Sequence, residues 1–262
     1  MEAQTAAKQR TEKILRELRF AGKVSVDGLS QRIGVSPSTV RRDLQDLEVR
    51  GLLRRTHGGA MIVETLFYEP FRHVSSFYLQ EQFMQEEKRR IGLVAAELIS
   101  DGETISICAG TTTTQVARSI RHRKGIKIFT NSVNIAMELS RRSDLEVVLS
   151  GGLLSGEWFA LVGPKAIQHA GEHFVDKVFV GVDGFDVDRG ITDDDPAEAA
   201  VHHAMLGQAR QKIVVADHTK LGKIESSLIW PAKGLDILVT DRQASEEALE
   251  PFRANGIDVR LA

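Results

Sequence analysis

The chain of 262 residues has one cysteine, six prolines, two tryptophans and two tyrosines. Cys108 alone cannot form an internal disulfide, which excludes a disulfide-stapled secreted scaffold. No uncharged apolar run approaches the roughly 20 residues that cross a bilayer. Residues 147–156 come nearest and are broken by glycines. The first residues lack the apolar core of a signal peptide, so a cytoplasmic protein with no membrane partner is expected. At 42% hydrophobic and 27% charged, the chain is not collagen-like, low-complexity or wholly disordered. Neither a dinucleotide-binding G-x-G-x-x-G nor the Gly-Lys-Ser/Thr ending of a P-loop is present.

Charge is unevenly spread. Residues 1–60 hold twelve Lys and Arg against seven Asp and Glu, while the remainder holds 22 against 29. A basic piece on an acidic body suggests a polyanion reader joined to something else.

The first sixty residues predict three short helices. Ile14, Leu15 and Leu18 share one helical face, and Val26, Leu29 and Ile33 share another. Gly34 supplies a turn, Ser36 an N-cap and Pro37 the first residue of a third helix over 37–50. Its apolar stripe is Val40, Leu44 and Leu47, which leaves Ser38, Thr39, Arg41 and Arg42 on the free face. Two helices joined by a tight turn form a helix-turn-helix, whose second helix enters the major groove. Arg pairs with guanine there, and Ser and Thr reach bases or phosphates. Arg54, Arg55 and His57, ahead of Gly58 and Gly59, read as a wing on the backbone or minor groove. A capped amphipathic helix with solvated arginines is the plainer alternative for the cap alone. Asp43, Asp46 and Glu48 should pair with neighbouring arginines or face away from phosphate.

Residues 61–82 lack clear periodicity and read as a linker. From 83 a helix to about 99 leads into strands expected at 103–108, 126–129, 146–149, 175–182, 212–216, 236–240 and 257–260, alternating with helices. That pattern predicts a mostly parallel, doubly wound α/β sheet. Ligands of such sheets bind at the carboxyl ends of strands. Gly110, Thr111, Thr112 and Thr113 stand there ahead of a helix over 112–120 and suit an anion cradle. Asn131, Gly152, Asp183 and Lys220 follow other strands. Carboxylates such as Asp183, Asp195 and Glu198, with Lys220, suit a phosphorylated polyol or sugar. Two plainer alternatives remain open: 193–195 as an N-cap for a helix over 196–206, and Lys220 as a surface lysine. His169 and His173 have metal-ligand spacing, but Gly171 lies between and no third ligand is evident. His202 and His203 read as surface or packing residues, Cys108 as a small core residue, and Trp158 as core or dimer packing, with stacking on a ligand as the alternative.

The run Gly34-Val35-Ser36-Pro37-Ser38-Thr39-Val40-Arg41-Arg42-Asp43-Leu44, with Arg55-Thr56-His57-Gly58-Gly59-Ala60, resembles the DNA-binding domain of DeoR-type bacterial transcriptional regulators. Asp101-Gly102-Glu103, Gly110-Thr111-Thr112-Thr113, Thr130-Asn131-Ser132, Gly151-Gly152, Val182-Asp183-Gly184 and Asp217-His218-Thr219-Lys220 resemble that family's sensor domain, in order. The resemblance implies a winged helix-turn-helix domain (1–60), a linker (61–82) and a sensor domain (83–262) similar to ribose-5-phosphate isomerase. It implies a repressor of a sugar-catabolism operon that leaves double-stranded operator DNA when a phosphorylated sugar binds. The phosphate would lie near Gly110, Thr111, Thr112 and Thr113, and the sugar near Asn131, Gly152, Asp183, Glu198 and Lys220. It further implies a homodimer or homotetramer, with no cofactor and no metal. The alternative is a sugar-phosphate isomerase using Asp183, Asp186 and Glu198 for proton transfer. The N-terminal domain, which an isomerase does not need, stands against it.

Overall fold

The computed structural model describes residues 10–11, 13–15, 17–18, 23–49, 53–61, 76–120, 123–140 and 142–262. They fall into two compact units, divided between Glu69 and Pro70.

In the first unit the described residues among 10–18 are helical, and Ile14 and Leu18 are fully buried. Strand β1 (Lys23–Ser25) follows, then helix α1 (Val26–Ile33) and helix α2 (Pro37–Val49). Gly34 closes α1 in the left-handed conformation, at φ 78°. Its free rotation about φ makes this tight turn between the two helices accessible. Strands β2 (Arg54–Thr56) and β3 (Gly59–Met61) form a hairpin, and β3 pairs with β1 in the order β1-β3-β2. The core is Ile14, Leu18, Leu29, Val40, Leu44, Leu47 and Leu53, with Val24, Val26 and Ala60. The predicted stripes of all three helices therefore face one another. Strand β1 has no sequence signature, because three residues are too few to show a two-residue period.

The second unit carries a seven-stranded, fully parallel sheet: β4 (Thr104–Ile107), β5 (Lys127–Thr130), β6 (Glu146–Leu149), β9 (Val175–Val180), β12 (Ala209–Val215), β14 (Ile237–Thr240) and β15 (Asp258–Leu261). These are the seven predicted strands, within a few residues. Their order is β15-β14-β12-β9-β4-β5-β6. The chain winds outward from β4 to β6, returns to β9 on the other side of β4, and winds outward again. Two apolar layers cover the sheet, one around Ile91, Val116 and Ile135, the other around Phe185, Val201 and Phe252.

Two smaller sheets lie outside that pattern. One is the hairpin β7 (Leu153–Ser155) and β8 (Ala160–Val162). The other is antiparallel, with order β10 (Gly184–Asp186), β11 (Gly190–Asp193), β13 (Ser227–Trp230). Helix α3 (Ser76–Gln82) corrects the linker reading in part. Phe77 and Tyr78 are buried in edge-on contact with Phe159, and Glu81 pairs with Arg118 at 2.6 Å. Residues 76–82 thus belong to the sensor unit, while 62–75 lie outside the described residues. The remaining helices are α4 (Gln85–Glu97), α5 (Thr111–Ser119), α6 (Val133–Leu139), α7 (Pro164–Ala170), α8 (Pro196–Gly207) and α9 (Glu246–Ala254).

Candidate functional site

Two surfaces carry the polar residues that the sequence singles out, one in each unit. In the first, the Ser36 hydroxyl accepts from the Thr39 amide at 3.2 Å and lies 2.8 Å from the hydroxyls of Ser38 and Thr39. This network caps α2. Val40, Leu44 and Leu47 point into the core, which leaves Arg41 and Arg42 exposed on the opposite face. Asp43 is buried and takes the Arg10 guanidinium at 2.9 Å. Glu48 takes the Arg55 amide at 2.8 Å and its Nε at 2.6 Å. Both acids are thus neutralised by arginines, as expected. Arg55, however, is tied to Glu48 instead of standing free on the wing. The side chain of Arg54 lies outside the described residues. His57 is exposed in the β2–β3 turn, beside Gly58 at φ 87°. Gly59 serves closeness rather than the turn: a Cβ there would stand 2.1 Å from the Val24 carbonyl oxygen.

The second surface is a cleft at the carboxyl edge of the parallel sheet. Strand order reverses between β4 and β9, and loops leaving adjacent strands in opposite directions open a crevice between them. The cleft, about 540 Å³ with its open mouth, is lined there by Ala109, Gly110, Thr111 and Thr112 after β4, and Gly181, Val182 and Asp183 after β9. Gly110, at φ 146°, is the N-cap of α5, so the first amides of that helix have no partner inside it. Lys220, on the short helical turn His218–Lys220 after β12, donates to Asp183 Oδ1 at 2.9 Å. It faces the cleft and is not a surface lysine.

Asp193, Asp194 and Glu198 bring the acidic wall. Asp195 caps α8 by accepting from the Ala197 amide at 2.7 Å, so the N-cap alternative holds for that residue alone. Burial pushes the Glu198 carboxyl up to about 8, and the neighbouring aspartates push the same way. Burial pushes Asp193 up to about 7. Glu198 Oε1 has no hydrogen-bond partner.

Three expected ligands lie elsewhere. Thr113 is wholly buried and its hydroxyl donates to the Gly110 carbonyl at 2.9 Å. Asn131 is wholly buried and its Oδ1 accepts from the Ala109 amide at 2.8 Å, which braces the loop that forms the cleft wall. Gly152 packs on β8 and α7: a Cβ there would stand 2.6 Å from the Val162 carbonyl oxygen. These residues follow strands as the ligands do, but their side chains or backbone face inward. Asp186 also lies apart, accepting from the amides of Asp188 and Arg189 in the β10–β11 turn.

The structure adds Gln80, Lys88 and His202 to the lining, and places Trp158, the stacking candidate, there too. Lys88 is 1% exposed, and its ammonium donates to the Gln80 carbonyl at 2.6 Å. Burial lowers it to about 8. In the sequence it stands within Glu87-Lys88-Arg89, which the DeoR-type resemblance marks only as the entry into the sensor domain. His202 is buried rather than on the surface, with both ring nitrogens unpartnered. Burial lowers it to about 4, so the ring is neutral. Trp158 offers an apolar face to the cleft as well as packing on the core. The other singled-out residues are structural. His169 and His173 donate Nδ1 to the carbonyls of Ser150 and His169, and His203 bonds to the Ile229 carbonyl. Cys108 is fully buried, and burial pushes its thiol up.

Comparison with known proteins matches residues 10–65 to the DeoR-like helix-turn-helix domain and 84–242 to the DeoR C terminal sensor domain. The chain belongs to the DeoR family of transcriptional regulators. It is 32% identical to a putative aga operon transcriptional repressor of Escherichia coli O157:H7, over 98% of this chain and 94% of that protein. It is 35% identical to the HTH-type transcriptional regulator GlpR of Haloferax volcanii, over 90% of each. The ribose 5-phosphate isomerase A structure from Methanocaldococcus jannaschii aligns with 52% of this chain and 54% of its own at 16% identity, with a TM-score of 0.40. The DeoR family matches are regulators of transcription, not enzymes. Among the described residues, no helix is long and apolar enough to cross a membrane.

Proposed function

We propose that this DeoR family member represses a sugar-catabolism operon and is released from its operator by a phosphorylated sugar. The observation that carries this reading is the two-sided cleft at the strand-order reversal. The N-terminus of α5 and the Lys88 ammonium make one side suited to a phosphate. Asp183, Asp193 and Glu198 make the other side suited to hydroxyl donors, with Lys220 bridging to Asp183. Trp158 suits an apolar face of a sugar. Gly110, Thr111 and Thr112 cradle the phosphate, while Thr113, Asn131 and Gly152 support the wall behind it. The relative named as a putative aga operon transcriptional repressor favours repression of an operon.

On the DNA side, Arg41 and Arg42 read base edges from the major groove, while Ser36, Ser38 and Thr39 fix the N-terminus of α2 near the backbone. His57 stands at the tip of the wing, and Arg55 fixes the wing through Glu48. An effector that prefers the DNA-free form weakens DNA binding by the factor by which DNA weakens effector binding.

The test is fluorescence anisotropy with DNA from upstream of the operon that contains this gene, at fixed salt, repeated with a panel of sugar phosphates. Specific binding weakened by one member of the panel is the expected result. Specific binding indifferent to all of them would remove the effector half of the reading. Binding no tighter than to random DNA would remove the operator half.

A further inference from the structure

Two buried groups in the cleft wall carry polar atoms that no described residue satisfies. Glu198 and His202 are i and i+4 on α8, so they stand on one face of that helix. Both line the cleft. Glu198 is 7% exposed and His202 1%, yet Glu198 Oε1 and both ring nitrogens of His202 lack a hydrogen-bond partner. His202 Nδ1 lies 3.8 Å from Asp193 Oδ2, which is too long for a hydrogen bond. A buried polar group left without a partner is costly, so each one in a native fold needs a reason. In the wall of a cleft that reason is a ligand that completes it.

The hydrogen-bonding capacity of these two groups narrows the ligand. A neutral imidazole offers one donor and one acceptor. Burial keeps the His202 ring neutral and favours the protonated Glu198 carboxyl, which likewise offers a donor and an acceptor. A phosphate dianion or a carboxylate only accepts, and an ammonium only donates. A hydroxyl does both. A second anionic group on the ligand would also meet unfavourable charge here. The charges acting on Glu198 are those of Asp193, Asp195, Asp183 and Asp194. Lys220, the cation that lines the cleft besides Lys88, is already paired with Asp183 at 2.9 Å.

We propose that His202 and Glu198 select the effector by its hydroxyls: the cleft takes a sugar phosphorylated at one position only, whose hydroxyls complete this pair. His202 is the specificity-determining residue. Sugar bisphosphates and sugar-acid phosphates are rejected, because their second anionic group accepts without donating and faces the aspartates. This selection rests on the sugar-phosphate reading above and narrows it to one chemical class.

The test is calorimetric titration of the full chain at pH 7 without DNA. Inorganic phosphate is titrated first, then ribose 5-phosphate, glucose 6-phosphate and fructose 6-phosphate, each beside the bisphosphate that carries a second phosphate at carbon 1. The best monophosphate should bind at least about tenfold more tightly than inorganic phosphate and than its own bisphosphate. His202→Phe keeps the bulk of a ring and should bring that monophosphate down toward the affinity of inorganic phosphate. His202→Gln, whose amide again donates and accepts, should restore part of the preference. Glu198→Met should act as His202→Phe does, and it replaces that variant if His202→Phe does not fold. A bisphosphate that binds at least as tightly as its monophosphate, or a folded His202→Phe that keeps the full preference, overturns the selection and leaves the effector reading standing. If no sugar phosphate binds more tightly than inorganic phosphate, both are overturned.

Discussion

The Lys88 ammonium gives up its charge near pH 8, well below an ordinary lysine, because the sensor unit buries it almost completely. Burial penalises the cation, which lowers its pKa to about 8 from the ordinary lysine value. The charged form exists below that point and is lost above it. A phosphate, in turn, becomes a full dianion above about pH 6. Affinity for the releasing sugar phosphate should therefore be highest between these limits and fall as pH rises through 8. Calorimetric titrations at pH 7 and pH 9 check this, and Lys88→Met should weaken binding and reduce the fall, the remainder coming from ionisation of Glu198, which is raised to about 8 in the same cleft. A flat profile in the unsubstituted protein would remove Lys88 from the phosphate site. On the other surface, Arg42→Ala should cost about 1–3 kcal/mol of operator binding if the guanidinium reads a base. Competition with random DNA distinguishes that role, because a phosphate contact is lost equally from both.

Elements are held here by close approaches that single atoms decide. In the wing, β3 passes so near β1 that Gly59→Ala would drive a methyl group into the Val24 carbonyl. Overpacking of that kind costs about 1–3 kcal/mol or more, and the strands cannot separate without opening the small core beneath them. A lower melting transition and loss of operator binding together are expected, with effector binding retained. Gly152→Ala carries the corresponding conflict with Val162 in the sensor unit, at φ 113°. It should lower the sensor's melting temperature. Thr112→Val, by contrast, should leave stability near normal and blunt release by the effector. If Gly152→Ala left the melting temperature unchanged while weakening effector binding, Gly152 would regain the ligand role that the packing denies it.

At the scale of the whole molecule, the two units are coupled only if the effector prefers one state of the protein. A tenfold drop in operator affinity corresponds to about 1.4 kcal/mol of coupling. Saturating operator DNA should weaken effector binding by that same factor, which paired titrations measure. Much of the architecture is legible in the order of the residues. Apolar spacing gave Leu29, Val40, Leu44 and Leu47 their shared core. Alternation of apolar runs with helical stretches marked all seven parallel strands, because most carry a short buried apolar run, such as Ile213-Val214-Val215 and Ile237-Leu238-Val239. Position after a strand then identified Gly110, Thr111, Thr112, Asp183 and Lys220 as cleft residues. Position could not say which way a side chain points, so Thr113, Asn131 and Gly152 looked equivalent to their neighbours. The packing of the loops settles it, because a side chain's orientation depends on how each loop lies against the next. Packing alone brought Lys88, Trp158 and His202 to the cleft from separate elements. Their burial, and hence their charge, arises from contacts between segments distant in the chain, which no local pattern records.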